Sequence, residues 1–205
     1  KTAADALILD LEDSIAPDQK VVARGITREM LDARNPEQKL YIRVNALDTD
    51  LTLGDLAAVM PGKPDGIVLP KCAGAADVNK LALYLDAFEA ASGIAQGTTR
   101  IITVATETAR AVLKILDFEN MSPRLWGMMW GAEDLAASLG ATRNRTDGRY
   151  HSPFILARDL CLIGAAAAAA GAIDTVAPHI NEPTAFETDW RPRRPNPSRQ
   201  PTQRR

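Results

Sequence analysis

Cysteine and histidine are both scarce in this chain, with two of each among 205 residues. Cys72 and Cys161 lie far apart and lack metal-ligand spacing, which leaves a reducing, cytoplasmic setting as the default. His151 and His179 show no pairing spacing either, so surface or supporting roles suit them better than catalysis. No apolar run approaches the roughly 20 residues of a membrane span. The stretch "LCLIGAAAAAAGAI" is too short and mostly alanine, its run at 165–170 reading as a strong helix former. The opening "KTAADALILDLED" is interrupted by acids and has no cleavage-type segment, so it does not read as a signal peptide. Neither GxGxxG nor GxxxxGK[ST] occurs, which lowers a dinucleotide or nucleoside-triphosphate reading.

The length suffices for one sizeable domain with a real core, and 46% apolar content is ordinary for a soluble globular chain. The net charge of −2 conceals an asymmetry. Residues 190–205 hold six arginines, four prolines and no acid; without them the body carries −2 − 6 = −8. An acidic body gives no reason to expect nucleic acid or anionic membrane as partner. The Arg/Pro tail lacks hydrophobic periodicity, and its prolines deny it helix or ladder, so residues 189–205 are expected to be disordered. With only Trp190 for stacking, it is a generic basic tail.

What the sequence does have is rhythm. Six short apolar runs occur at 6–13, 40–45, 66–71, 100–108, 125–134 and 172–180, near-continuously apolar as strands covered on both faces are. Segments with helical spacing lie between them, such as "DVNKLALYLDAFEAAS", "TARAVLKILDFENM" and "HSPFILARDLCLIGAAAAAAG". Alternating strands and helices predict βα units on a parallel sheet, and doubly wound sheets and (β/α)₈ barrels both fit. One detail favours the barrel. Five runs end in polar groups: Asp10, Glu12 and Asp13; Arg43 and Asn45; Lys71; Glu107; Glu133 and Asp134. The sixth ends in "PHINEP". Barrel enzymes gather their working groups from several strand ends at one face.

The stretch "WGMMWGAEDLAASLG" poses the sharpest question. A bulky apolar run stops at Gly131, and Glu133 and Asp134 follow at once. Acids there either favour the N-terminal end of a following helix or hold something.

In order along the chain, "ALILDLEDSIAPDQKVVAR", "YIRVN", "GIVLPK", "TVATETARAV" and "WGAEDLAASLG" resemble the citrate lyase beta-subunit-like branch of the HpcH/HpaI aldolase superfamily. The resemblance spans roughly residues 3 to 187. It implies a Mg²⁺-dependent (β/α)₈ TIM barrel over residues 1–188, with six of eight strands visible. It implies a carbon–carbon lyase acting on β-hydroxyacyl thioesters of the citryl, malyl or citramalyl type, carried on CoA or an acyl-carrier protein. It also implies homo-oligomers, trimeric or hexameric in the intact family. Glu107 and Asp134 become metal ligands, with Glu107 also near the substrate, and Arg43 a substrate contact. Asp10, Glu12, Asp13 and Lys71 surround the same mouth, with Asp13, Arg43 and Lys71 the catalytic candidates.

The chemistry agrees with those assignments. A hard divalent cation takes oxygen donors from one or two carboxylates and leaves positions for water and substrate. A permanently charged, planar guanidinium suits bidentate carboxylate recognition or developing negative charge. Asp134 is expected to face the ion and Glu133 to support the loop.

Family members usually carry another strand and helix before "DALILDLED" and continue beyond "AIDTV" to a further strand and a closing segment. An open barrel exposes strand edges, so weak Mg²⁺ binding and poor turnover are expected of the chain as it stands. A fragment, a shifted frame in the tail or a gene remnant all fit. Two readings compete with the thioester lyase. One is a class II aldolase acting on free oxo acids; the other is a catalytically impaired binding subunit that keeps the metal site.

Overall fold

The computed structural model describes residues 4–118 and 121–176. The expected tail and His179 lie outside them. Six parallel strands form one sheet: β1 (Ala6–Asp10), β2 (Lys39–Arg43), β3 (Gly66–Leu69), β4 (Arg100–Val104), β5 (Leu125–Met129) and β8 (Gly171–Ile173). Their spatial order is β1-β2-β3-β4-β5-β8, each new strand added to the same side of the last. A doubly wound sheet reverses direction at a switch point, whereas a barrel does not. The order therefore decides for the arc of a barrel over the doubly wound alternative.

Helices α1 (Lys20–Asp32), α2 (Thr52–Val59), α3 (Ala75–Ala91), α4 (Ala109–Leu113), α5 (Ala132–Ser138) and α6 (Ser152–Ala167) cover one face of the sheet. Successive strand residues point to opposite faces, and the burial follows suit. Ile67 and Leu69 join the large outer core with Leu56, Leu81, Leu85 and Phe154, while Val68 joins Tyr41, Ile102 and Val104 on the inner face. That inner cluster is the filling of a barrel interior. The edge strands are less covered than their apolar runs predict: Ile8 in β1 is 46% exposed, because among the described residues only β2 flanks it.

Arg124, at the N-terminal end of β5, pairs both guanidinium ends with the buried Glu89 (2.8 and 2.6 Å). Burial opposes ionisation of Glu89, but Arg124 and the backbone N–H groups of Thr99 and Gly97 outweigh it and hold the carboxyl down at about 2. This ion pair closes the end of the sheet opposite the candidate site.

Three elements differ from the sequence reading. The segment after Glu107 gives only the short α4 and a 3₁₀ turn (Ile115–Phe118) rather than one long helix. The alanine run does not stay helical: α6 stops at Ala167, Ala169 turns left-handed (φ 54°), and the Ala170 N–H reaches back to Ala165 O at 2.8 Å. That bond pattern satisfies the last carbonyls of the helix and aims the chain into β8. Lastly, a small antiparallel hairpin, β6 (Arg145–Thr146) with β7 (Arg149–Tyr150), interrupts the rhythm before α6.

Candidate active site at the strand C-termini

Most of the polar strand ends predicted to meet come together at the C-terminal face of the sheet; Asn45 turns away to Lys20 and Asp55, and the "PHINEP" end lies outside the described residues. Three consecutive residues after β4 divide the labour. Thr106 Oγ1 accepts the Gly131 N–H at 3.1 Å, tying the end of β4 to the end of β5. Glu107 turns inward and is 3% exposed. Thr108 caps α4 by accepting the Ala111 N–H at 3.1 Å.

The Glu107 carboxyl accepts the Lys71 backbone N–H and lies against the carboxyl of Asp134 within hydrogen-bonding reach. Burial first, then the neighbouring Asp134 and Glu12 charges, push Glu107 up to about 8. Two carboxyl groups in contact cannot both ionise without a cation between or beside them. The pair therefore fits a hard divalent cation through its donor chemistry: two carboxylate oxygens from successive strands, with the remaining positions for water and substrate. Among the described residues no group of three or more His, Cys, Asp or Glu side chains forms a fuller cage.

Gly131 resolves part of the question raised by "WGAED". A Cβ at this position would come within 2.6 Å of Glu107 Cγ and 3.2 Å of Val104 Cγ1. The glycine is there because the Glu107 side chain passes directly over it. Glu133 and Asp134 then occupy the first turn of α5, where acids suit the helix dipole, yet they point to different tasks. Glu133 Oε1 accepts from Asn144 Nδ2 (2.9 Å) and Arg145 Nη2 (3.2 Å), securing the hairpin, as expected of a loop support. Asp134 faces Glu107. We expect Gly131→Ala to displace Glu107 and weaken divalent-cation affinity at least tenfold, about the loss seen when a ligand's support is removed. Calorimetric titration with Mg²⁺ checks this, and an unchanged affinity would show that Glu107 can move aside freely.

Across the mouth, Arg43 makes a two-pronged pair with Asp10: Nε to Oδ1 at 2.7 Å and Nη2 to Oδ2 at 2.6 Å. Burial works against ionisation of Asp10, but Arg43, Ser14 and the Glu12 N–H hold its carboxyl well below the usual range. Arg43 is held charged above its ordinary value, chiefly by the Asp10 hydrogen bond. Lys71 Nζ donates to Glu12 Oε1 and lies 3.6 Å from Asp13. Burial would lower Lys71, but the Glu12 contact raises it on balance. Burial raises Glu12 despite both cations. Its Oε2 sits 3.1 Å from Arg43 Nη1 without the alignment of a hydrogen bond, and so stays buried without a donor among the described residues.

Lys71 also carries backbone strain, with φ 50°. A left-handed lysine costs roughly 1–2 kcal/mol relative to the right-handed form, and such outliers gather at working sites. The strain lets one residue aim its N–H at Glu107 and its ammonium at Glu12. Sequence reading singled out Glu107, Asp134, Arg43, Lys71, Asp10, Glu12 and Asp13, and the structure brings all seven to one mouth. It passed over Ser14, Thr106 and the packing role of Gly131. The available signal was their place one to three residues from a singled-out acid.

The HpcH/HpaI aldolase/citrate lyase family model matches residues 1–191. The chain belongs to that family. The L-malyl-CoA/beta-methylmalyl-CoA lyase of Rhodobacter capsulatus is 33% identical over 163 residues, covering 76% of this chain and 50% of that protein. The citrate lyase subunit beta of Leuconostoc mesenteroides is 32% identical over 184 residues, covering 89% of this chain and 59% of that protein. The chain thus spans about half the length of these family members. Among solved structures, CitE from Mycobacterium tuberculosis in complex with magnesium and acetate is 33% identical, with a TM-score of 0.76 over 91% of this chain and 71% of CitE. The same protein is also seen with magnesium, acetoacetate and coenzyme A. The family relationship agrees with the sheet order in giving a TIM-barrel-like fold.

Proposed function

We propose that this chain carries the metal and substrate site of a Mg²⁺-dependent lyase. It would cleave a β-hydroxyacyl-CoA thioester of the malyl, citramalyl or citryl type. The carrying observation is the Glu107–Asp134 carboxyl pair facing Arg43 and Lys71 across one mouth. Family relatives that are CoA-ester lyases, and a structural neighbour seen with magnesium and coenzyme A, support the same reading.

Held by Glu107 and Asp134, Mg²⁺ would act as a Lewis acid on the hydroxyl and adjoining carboxylate oxygens of the acid portion. Arg43, locked by Asp10, recognises a substrate carboxylate or faces the negative charge that builds up during cleavage. Lys71, backed by Glu12 and Asp13, adds a second positive charge to that side. In the cleavage the bond between the hydroxyl-bearing carbon and the carbon next to the thioester breaks. The first leaves as the carbonyl of an oxo acid, giving up its hydroxyl proton. The second keeps the electron pair as an enolate and takes up a proton to give the shorter thioester. The free, buried cysteines suit the reducing cytoplasm in which we place the protein. The apolar ridge of Val22, Ile26 and Met30 on α1, each about half exposed, supports a homo-oligomer.

The test is oxo-acid release from malyl- and citramalyl-CoA, trapped as the hydrazone while the shorter thioester accumulates, with and without Mg²⁺, beside the corresponding free acids. Mg²⁺-dependent oxo-acid release from the thioesters alone is the expected result. Cleavage of free acids alone would favour an oxo-acid aldolase, and Mg²⁺ binding without turnover a binding subunit. The pH dependence of metal binding adds a second check. Glu107, raised to about 8, is protonated at neutral pH and must lose its proton to ligate a metal. Mg²⁺ affinity should therefore rise with pH through 8 and then level, with a roughly 30-fold gain between pH 6.5 and 8.5. Calorimetry in buffers of different ionisation enthalpy should register about one proton released near pH 7, and none would contradict the assignment.

A further inference from the structure

The turn that carries Glu12 and Asp13 into the mouth has no regular structure of its own, yet it is fastened from behind. Lys20 opens α1 and is only 9% exposed. Its Nζ donates to Leu11 O (2.7 Å), Glu12 O (2.7 Å) and Asn45 Oδ1 (2.9 Å). Those three bonds use every donor of an ammonium group. Asn45 is held in turn: its Nδ2 donates to Leu11 O (3.0 Å) and Asp55 Oδ2 (2.7 Å), and its backbone N–H to Asp55 Oδ2 (2.8 Å). Asp55, fully buried, takes Arg24 Nε on its other oxygen at 2.8 Å.

From this network we propose that Lys20 is a positioning residue for the acid-recognition side of the site. The inference rests on the lyase reading above. Lys20 touches neither the mouth nor the Glu107–Asp134 pair. It grips the carbonyls of Leu11 and Glu12, one on each side of the Glu12 Cα, and so fixes where the Glu12 side chain leaves the backbone. Glu12 in turn is the partner of Lys71 Nζ and lies beside Arg43. Asn45 sets the direction of the ammonium by accepting from Lys20 while donating to Asp55. The arrangement places a buried cation where a turn needs two carbonyls satisfied at once, something a neutral side chain of the same length cannot do. Without Lys20 the turn is free to shift, and a displacement of about 1 Å at a recognition group is enough to cost roughly 100-fold.

The test uses the whole chain, with oxaloacetate as probe at saturating Mg²⁺, Mg²⁺ alone as a second titrant, and the thermal midpoint. Lys20→Met should weaken oxaloacetate binding about 10–100-fold, with Mg²⁺ affinity alone held within about twofold because the metal pair lies outside the network. Lys20→Gln, which keeps a donor for one carbonyl, should fall between wild type and Met. Leu85→Ala, an outer-core truncation, should lower the midpoint without moving oxaloacetate affinity. Wild-type-like binding by Lys20→Met would overturn the positioning role. Equal weakening by Leu85→Ala would also overturn it, because loss of stability alone would then explain the effect. Should Lys20→Met not fold, Asn45→Ala removes the orienting partner, and its failure to weaken oxaloacetate binding would overturn the role equally. If the wild-type chain binds neither Mg²⁺ nor oxaloacetate, the lyase reading itself falls and this inference falls with it.

Discussion

Replacing Asp134 by alanine is expected to abolish measurable Mg²⁺ binding while leaving the fold nearly intact. Mg²⁺ dehydrates reluctantly, and on the proposed reading Glu107 and Asp134 are the two carboxylates that would hold it. Removing one leaves Glu107 alone, a buried carboxyl whose desolvation still disfavours the ionised form that a metal needs. The fold survives because two effects of the substitution oppose each other. Asp134 sits in the first turn of α5, where losing an acid costs about 0.3–1 kcal/mol of helix-dipole interaction. Its removal also takes a like charge away from Glu107, which relieves repulsion. Glu107 should then titrate lower than about 8, but only part of the way, because burial is the larger cause of its shift and remains. Calorimetry with Mg²⁺ and a thermal melt test both halves. Metal affinity within twofold of wild type would remove Asp134 from the site.

Arg43→Lys should lower thioester-cleavage turnover, read as oxo-acid release, about 100- to 1,000-fold, the range for losing one preorganised donor to developing charge. The substitution keeps the charge and loses the geometry. Arg43 meets both oxygens of Asp10 with two parallel N–H bonds, which leaves Nη1 turned toward Glu12 and the mouth. An ammonium is a point donor and cannot hold that fork while also presenting a second N–H to substrate. Asp10 keeps a cation nearby, so the thermal midpoint should change little beside the turnover. Turnover within threefold of wild type would mean that Arg43 holds the turn and does not touch the reacting acid.

Much of this molecule can be read from its letters. The six apolar runs begin within a residue or so of the six strands, because an uninterrupted β-branched and aliphatic stretch bounded by polar residues has few alternatives in a soluble chain. The carboxylates and cations at the ends of those runs follow for the same reason: where a buried strand emerges at the mouth, polar residues become affordable. The ordered motifs were enough to place Glu107, Asp134, Arg43 and Lys71 in one site. Strand pairing order was not legible, since alternating βα units are equally compatible with a sheet that reverses and one that does not. Only the pairings that leave β1 at the edge and run from β2 through β3 to β4 without reversal decided it. The helix after Glu107 was overread because periodicity in "TARAVLKILDFENM" reports burial on one face and cannot see where the chain must tighten into a 3₁₀ turn. The reason for Gly131 is likewise tertiary, a Glu107 side chain from beyond the neighbouring strand passing through the space that a Cβ would need. So is the strained backbone of Lys71, and so are the three bonds that bury Lys20 beneath the turn. Residue type and order set which groups exist and on which strand ends they ride. Which of them touch, which share a proton and which are pinned from behind depends on distances between strands far apart in sequence, and only the folded chain fixes those.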